Sequence, residues 1–348
     1  MHPLSPAPTQ RGTILLTGAS GQVGGELVRL LAPLGKVVAP LRNELDLTDE
    51  AGIRAVVRRI RPRWIVNPAA YTAVDRAESE PELAYAINAT AVRVLGEEAR
   101  ALGAAVLHFS TDYVFAGEGT IPYCETDPTG PTSVYGKSKL AGEQELARTG
   151  AAHLVFRTSW IYGATGKNFL LTILKAARER DRLRVVADQH GAPTWSRDLA
   201  RMTAHVIAHF ENSLPADTVL ADRVAPLGGI YHATGADVTT WHGFATEAIR
   251  LQQQIDPLTR YAEIDPITTA EYPTPARRPA NSRLDGNKLA SAFGCTMMPW
   301  QEALRHAVEE LGGAPPTRAA ASSTSVRLQP SDLASLSSIE PIRGNRGC

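Results

Sequence analysis

The stretch TILLTGASGQVGGELVRLL constrains the fold more than any other part of the chain. Thr13 to Leu16 (TILL) is a short apolar run of the kind found in a parallel strand buried on both faces. Glu26 to Leu31 spaces its apolar residues as a helix, which Pro33 and Gly35 stop. Between them Gly18, Gly21 and Gly24 form a G-x-x-G-x-x-G turn. Strand, glycine turn and helix in that order bring bare backbone and a helix N-terminus together, and that combination stabilises a pyrophosphate. Glycines alone would fit any tight turn; the flanking elements turn them into a candidate dinucleotide site.

The alternation continues. Lys36 to Ala39 reads as a second strand, Glu50 to Ile60 as a helix that stops before Pro62, and Trp64 to Val66 as a third strand. Leu83 to Leu102 predicts one long helix, Ala105 to Phe109 a fourth strand, Tyr135 to Arg148 a helix and His153 to Phe156 a further strand. Such regular alternation predicts an α/β fold: a doubly wound, Rossmann-like parallel sheet with helices on both faces. This part spans about 13–165. From about 166 to 312 the rhythm changes to a helix (Phe169 to Arg180), a strand (Leu183 to Val186) and turn-rich stretches. That region predicts a smaller C-terminal substrate lobe, with one strand returning to the main sheet near 229–233.

Both ends read as loose. Residues 1–12 are a proline-rich leader without the apolar core of a signal peptide. Residues 313–348 are a low-complexity tail of mainly small and polar residues, from which no core contribution is expected. The formal net charge of zero gives no bias toward nucleic acid or an anionic membrane. No apolar run reaches the roughly 20 residues of a membrane span. Three cysteines, far apart, fit no metal spacing and suit a reducing compartment, so the expectation is a cytoplasmic protein with a small-molecule partner.

The chemistry concentrates in two places. His108-Phe109-Ser110-Thr111-Asp112 ends the fourth strand, where open α/β sheets bind ligands. Tyr135 and Lys139 follow as Y-G-K-S-K, four apart and so on one helix face. A carbonyl that receives hydride needs a proton at its oxygen. Tyr135 can give that proton, with Thr111 hydrogen-bonding the same oxygen. Lys139 is expected to lower the phenol's affinity for its proton while also holding a nicotinamide ribose. A tyrosine and lysine at this spacing are often a mere surface pair; the glycine turn and Thr111 favour the catalytic reading. At the tip of the second strand stands Arg42 rather than an acid, which points to the 2′-phosphate of NADPH, with NADH left open. Asp46 and Leu47 follow beside the expected adenine.

The glycine spacing matches that of short-chain dehydrogenases, and the longer motifs carry a closer likeness. GASGQVGG, VNPAAYTAVDRAESEPELAYAINA, FSTDYVFAG, VYGKSKLAGE, FRTSWIYG, DQHGAPT, TWHGFA and YPTPARRPANSRLD, in that order, resemble the dTDP-4-dehydrorhamnose reductases over about 13–312. The resemblance implies a reductase of a nucleotide-linked keto sugar, with Tyr135 as proton donor and Lys139 as its partner. It implies that Gly21, Gln22 and Val23 touch the cofactor diphosphate and that Ala69, Ala70 and Tyr71 line the path from adenine to nicotinamide. It puts Thr111, Asp112 and Trp160 against the sugar, and Arg277 or Arg278 near a diphosphate. Some members bind magnesium between subunits of a dimer through three acids. Glu26 and Glu310 fit two of those positions, but Arg197 stands at the third, with Asp198 beside it, so no metal is predicted; a homodimer is compatible with the likeness. Tyr71 replaces a histidine and Pro68 stands in a usually alanine-rich turn. Two rival readings share the scaffold. One is a non-catalytic dinucleotide-binding regulatory subunit resembling that of methionine adenosyltransferase, and the other is a sugar-nucleotide epimerase or dehydratase.

Overall fold

The computed structural model describes residues 12–211 and 219–312. The leader, the 212–218 segment and the tail expected to be loose lie outside the described residues. Five strands, β1 (Thr13–Leu16), β2 (Lys36–Val38), β3 (Trp64–Asn67), β4 (Ala105–Thr111) and β5 (Ala152–Thr158), are joined by the strand Gly229–His232. They form one sheet in the order β2-β1-β3-β4-β5-(Gly229–His232), parallel throughout. The order reverses between β1 and β3, so the crevice at the carboxyl ends of these two strands is the natural ligand position.

Apolar residues on the two sheet faces enter two different cores. Ile14, Leu16, Trp64, Leu107 and Phe109 pack with helix α1 (Gln22–Leu31) and the helix Ser196–Glu211. Leu15, Ile65, Val106 and Val155 pack with helix α2 (Glu50–Ile60) and the helix Ala91–Leu102. Strict in-out alternation is absent because both faces are covered, as parallel sheets require. A third cluster, built from Tyr162, Leu170, Leu174, Phe244, Trp300 and Leu304, is the core of the C-terminal lobe. The later part of the chain nevertheless supplies the main sheet with a covering helix, Ser196–Glu211, as well as its last strand.

Where one long helix is expected over Leu83 to Leu102, the chain forms Pro81–Tyr85, a π-helical segment Ala86–Thr90 and then Ala91–Leu102. Asn88, inside the wide turn, accepts from Tyr71 N (2.8 Å) and donates to Tyr71 O (3.1 Å) and Ser138 Oγ (2.9 Å). A side chain so engaged with neighbouring elements is the sort of tertiary demand that inserts a π-bulge at a functional wall.

The helix Val134–Arg148 begins at Ser133, whose Oγ accepts from Gly136 N (3.1 Å). It is anchored over β4 and β5 by an interior ion pair. Arg157 on β5 donates twice to the Glu143 carboxylate (3.0 and 2.7 Å), and Ser110, its register partner on β4, donates to the same carboxylate. Both charged side chains are 3% exposed. Arg157→Met would leave Glu143 buried without its cation, and removal of one partner from such a pair costs about 3–5 kcal/mol. Urea unfolding of the variant should show a loss of that size. A loss under about 1 kcal/mol would mean that the pair does not anchor the helix.

Candidate active site

The glycine turn is built by contact. Gly18 has φ +58°, and a Cβ there would come within 2.9 Å of Ala69 Cα. A Cβ on Gly24 would lie 2.1 Å from Gly18 O, so the turn and the first helical residues must be bare to close on each other. Gly21 N donates to Gly18 O (2.9 Å), and α1 starts at Gln22 with no side chain capping it. Its first N–H groups therefore open into a cleft of about 790 Å³ at the β1/β3 crevice. Uncapped helix start, close glycine backbone and room fit a dinucleotide diphosphate.

Gly18, Gly21, Gln22, Val23 and Gly24 line this cleft, as do Ala69 and Ala70 after β3 and Arg42, Asp46 and Leu47 after β2. Arg42 is exposed at the rim, while Asp46 Oδ1 accepts from Thr48 N (2.9 Å) and Thr48 Oγ1 (2.8 Å), which holds its carboxyl below the usual range. Tyr71 does not line the cleft. Its hydroxyl donates to Glu80 at 2.5 Å.

Thr111, Asp112, Tyr135, Lys139 and Trp160 share the opposite part of the same cleft. The Thr111 hydroxyl donates to Asp112 Oδ1 (2.9 Å) and accepts from Tyr113 N (3.2 Å), so its oxygen is fixed at the strand tip. Burial pushes the Asp112 carboxyl up to about 6, against the Thr111 hydrogen bond and the nearby Ser282 side chain, which favour its charged form. The sequence leads one to expect a Tyr135 phenol made more acidic by Lys139. The structure has the opposite direction: burial raises Tyr135 well above the usual phenol range, and only the Thr111 side chain opposes this. The reason is where Lys139 goes. Its Nζ donates to Phe109 O (2.6 Å) and lies 3.1 Å from His108 Nε2, so its charge is engaged by β4. Burial lowers Lys139 itself to about 8, with Glu143 acting against the shift.

At Trp160 the backbone is strained. Trp160 has φ 46°, a left-handed conformation uncommon for a bulky residue. It is held by a stack on Trp241, with ring centroids 3.7 Å apart and planes 13° from parallel, and by Gly191, where a Cβ would meet the indole at 2.7 Å. Phe169 also packs against Trp241, with ring centroids 4.7 Å apart, and both line the cleft. Neither was singled out from the sequence, although Trp241 is the second residue of the TWHGFA motif. Of the two candidate arginines, Arg278 lines the cleft and pairs with Asp75 (2.9 Å). Arg277 is 70% exposed and faces Glu118 instead.

The acids matched to a metal position do not fit a divalent cation. Arg197 donates to both oxygens of Glu26 (3.1 and 3.0 Å) and to Glu310 (2.6 Å), so a guanidinium already neutralises the pair. Asp198 points elsewhere and accepts from Met298 N at 2.8 Å. No group of three metal-binding side chains occurs among the described residues. Nor is any described helix long and apolar enough to cross a membrane.

Comparison with known proteins agrees with this geometry. The family model described as the RmlD substrate binding domain matches residues 12–312. The dTDP-4-dehydrorhamnose reductase of Burkholderia thailandensis is 45% identical over 302 residues, covering 86% of this chain and 98% of that protein. That of Escherichia coli K12 is 43% identical over 302 residues, covering 86% and 97%. Among solved structures, a dTDP-4-dehydrorhamnose reductase from Clostridium acetobutylicum superposes with a TM-score of 0.77 at 35% identity, over 86% of this chain and 99% of that one. The Bacillus anthracis enzyme of that name, solved in complex with NADP, gives 0.77 at 33% identity, with the same coverage. A Thermus thermophilus UDP-glucose 4-epimerase, at 22% identity and a TM-score of 0.67, shares the fold alone. With its glycine cradle, its Thr111, Tyr135 and Lys139 in one cleft and these relatives along nearly their whole length, the chain belongs to the RmlD substrate binding domain family, whose relatives here are dTDP-4-dehydrorhamnose reductases.

Proposed function

We propose that this cleft reduces the 4-keto group of dTDP-4-dehydro-6-deoxy-L-mannose to give dTDP-L-rhamnose, with NADPH as reductant. The observation that carries the reading is that Thr111, Tyr135 and Lys139 line the same cleft as the uncapped start of α1. A dinucleotide seated on the glycine turn therefore reaches the proton-transfer groups within one cavity. NADPH, when bound, supplies the hydride for the carbonyl carbon. The chain's own residues manage the oxygen.

As hydride arrives, negative charge builds on the keto oxygen and must be met by a proton. The Tyr135 phenol carries its proton at neutral pH, as an ordinary phenol does, and burial favours that form further. The resulting phenolate is then favoured by the Thr111 side chain, and by Lys139 once its Nζ turns from Phe109 O toward the ribose and phenol. Asp112 and the Trp160/Trp241 stack form the sugar wall, and Arg278 is the cation available to the substrate diphosphate. An epimerase returns its hydride to the substrate and leaves the cofactor unchanged. No observation here favours that reading over net reduction.

Two variants test the assignment. Tyr135→Phe removes the proton donor, a group worth roughly 10²–10⁴ in rate. Turnover of the keto sugar should fall at least about a hundredfold while the Kd for NADPH stays nearly constant; near-normal turnover would remove Tyr135 from this role. Arg42→Ala should weaken NADPH more than NADH, because a guanidinium at the cleft rim recognises the 2′-phosphate that only NADPH carries. Equal losses for both cofactors would make Arg42 a solvated turn residue.

A further inference from the structure

A small sheet of the C-terminal lobe stands beside the Trp160/Trp241 stack. Its middle strand, His190–Gly191, pairs with Thr239–Thr240 on one side and with Asn281–Ser282 on the other. The ladder sets Thr240 opposite His190, so the next residue, Trp241, arrives within reach of Gln189. Gly191 is bare where the Trp160 indole lies on it, for a Cβ there would meet the ring at 2.7 Å. Two residues of the DQHGAPT stretch thus touch the two rings of the stack.

Gln189 holds Trp241 through a relay whose directions follow from what each group can do. An indole N–H only donates, so the atom facing Trp241 Nε1 at 3.2 Å is the carbonyl oxygen Gln189 Oε1. The amide nitrogen of the same side chain then faces Thr269 Oγ1 (3.0 Å), and it too can only donate. Thr269 accepts that bond and gives its own hydroxyl proton to Asp188 Oδ1 (2.7 Å), while its backbone N–H donates to both carboxylate oxygens (2.9 Å each). Gln189 is 5% exposed and does not line the cleft, so it acts on a substrate only through Trp241.

The stack needs such a hold. Trp160 keeps a left-handed backbone, with φ 46°, and a bulky residue stays in that conformation only where its surroundings over-determine it. Trp241 is the ring laid against it, with centroids 3.7 Å apart, and the indole N–H of Trp241 goes to Gln189. We propose that Gln189 is a positioning residue for the sugar wall: it fixes the Trp241 indole, and Trp241 in turn keeps Trp160 in its strained place against the sugar. The inference rests on the reading of Trp160 as part of that wall. It gives the glutamine of DQHGAPT and the tryptophan of TWHGFA a shared task, which neither the glycine turn nor the proton-transfer set requires.

The test is steady-state kinetics with the keto sugar varied at saturating NADPH, together with a titration of NADPH binding. Gln189→Met keeps the volume and removes the acceptor. Its KM for the sugar should rise about tenfold, the scale of a donor left unpaired, while kcat and the Kd for NADPH stay close to wild type. Trp241→Phe removes the donor from the other side, and in that background Gln189→Met should add nothing further to KM. Thr269→Val takes away the second anchor of Gln189 and should raise KM about threefold, whereas Thr269→Ser should keep the wild-type value. A purely structural role would lower the thermal midpoint of these variants and leave KM for the sugar unchanged. Should Gln189→Met not fold, the two Thr269 variants decide the matter, and a wild-type KM in both overturns the inference. A sugar KM raised by Trp160→Leu but unmoved by Gln189→Met overturns this inference alone. A sugar KM unmoved by Trp160→Leu overturns the reading of the sugar wall and this inference with it.

Discussion

Everything in this molecule hangs on the interior pairing of the polar residues of β4. The strand Ala105–Thr111 is buried from end to end, yet its second half carries His108, Ser110 and Thr111. Buried donors and acceptors without partners are costly, so each of these residues recruits a neighbour. His108 ties β4 to Asn67 on β3 and to Lys139 on the helix Val134–Arg148. Ser110 binds Glu143 on that helix, and Glu143 binds Arg157 on β5. Thr111 holds Asp112 at the strand tip. The same contacts that satisfy the interior therefore bring Thr111, Asp112 and Lys139 to one end of the sheet, at the cleft.

A second constraint, the closeness of Gly18, Gly24 and Ala69, aims the start of α1 into the crevice where strand order reverses. The glycine turn after β1 and Thr111 at the end of β4 thus lie two strands apart, with only β3 between them. The C-terminal lobe completes the cleft with Trp241 and Arg278, while its aromatic core keeps the Trp160 platform against Trp241 in spite of a strained backbone.

Much of this was legible in the sequence, for reasons that differ by residue. The glycine turn, the strand TILL and the helix Glu50–Ile60 are local: spacing and punctuation decide them, and the structure follows. Tyr135, Lys139 and Thr111 come together as their places on a helix face and a strand tip require. Four features needed tertiary information. The π segment at Ala86–Thr90 arises from Asn88 bonding across to Tyr71 and Ser138, which no helical periodicity encodes. The direction of Tyr135 depends on where the Lys139 ammonium rests, and the competing partners, Phe109 O and His108, belong to another strand. Tyr71 leaves the cleft for Glu80, and Trp241 enters it from a distance of 81 residues after Trp160, pairings invisible at the level of spacing.

The central claim is net reduction: hydride leaves the cofactor and stays on the sugar. The most direct measurement supplies NADPH deuterated at the transferable C4 position together with dTDP-4-dehydro-6-deoxy-L-mannose, then follows cofactor absorbance and the mass of the sugar product. The account predicts one NADPH consumed for each sugar converted, with deuterium at C4 of the product. Sugar conversion without cofactor consumption, or a bound cofactor with no conversion at all, would contradict it.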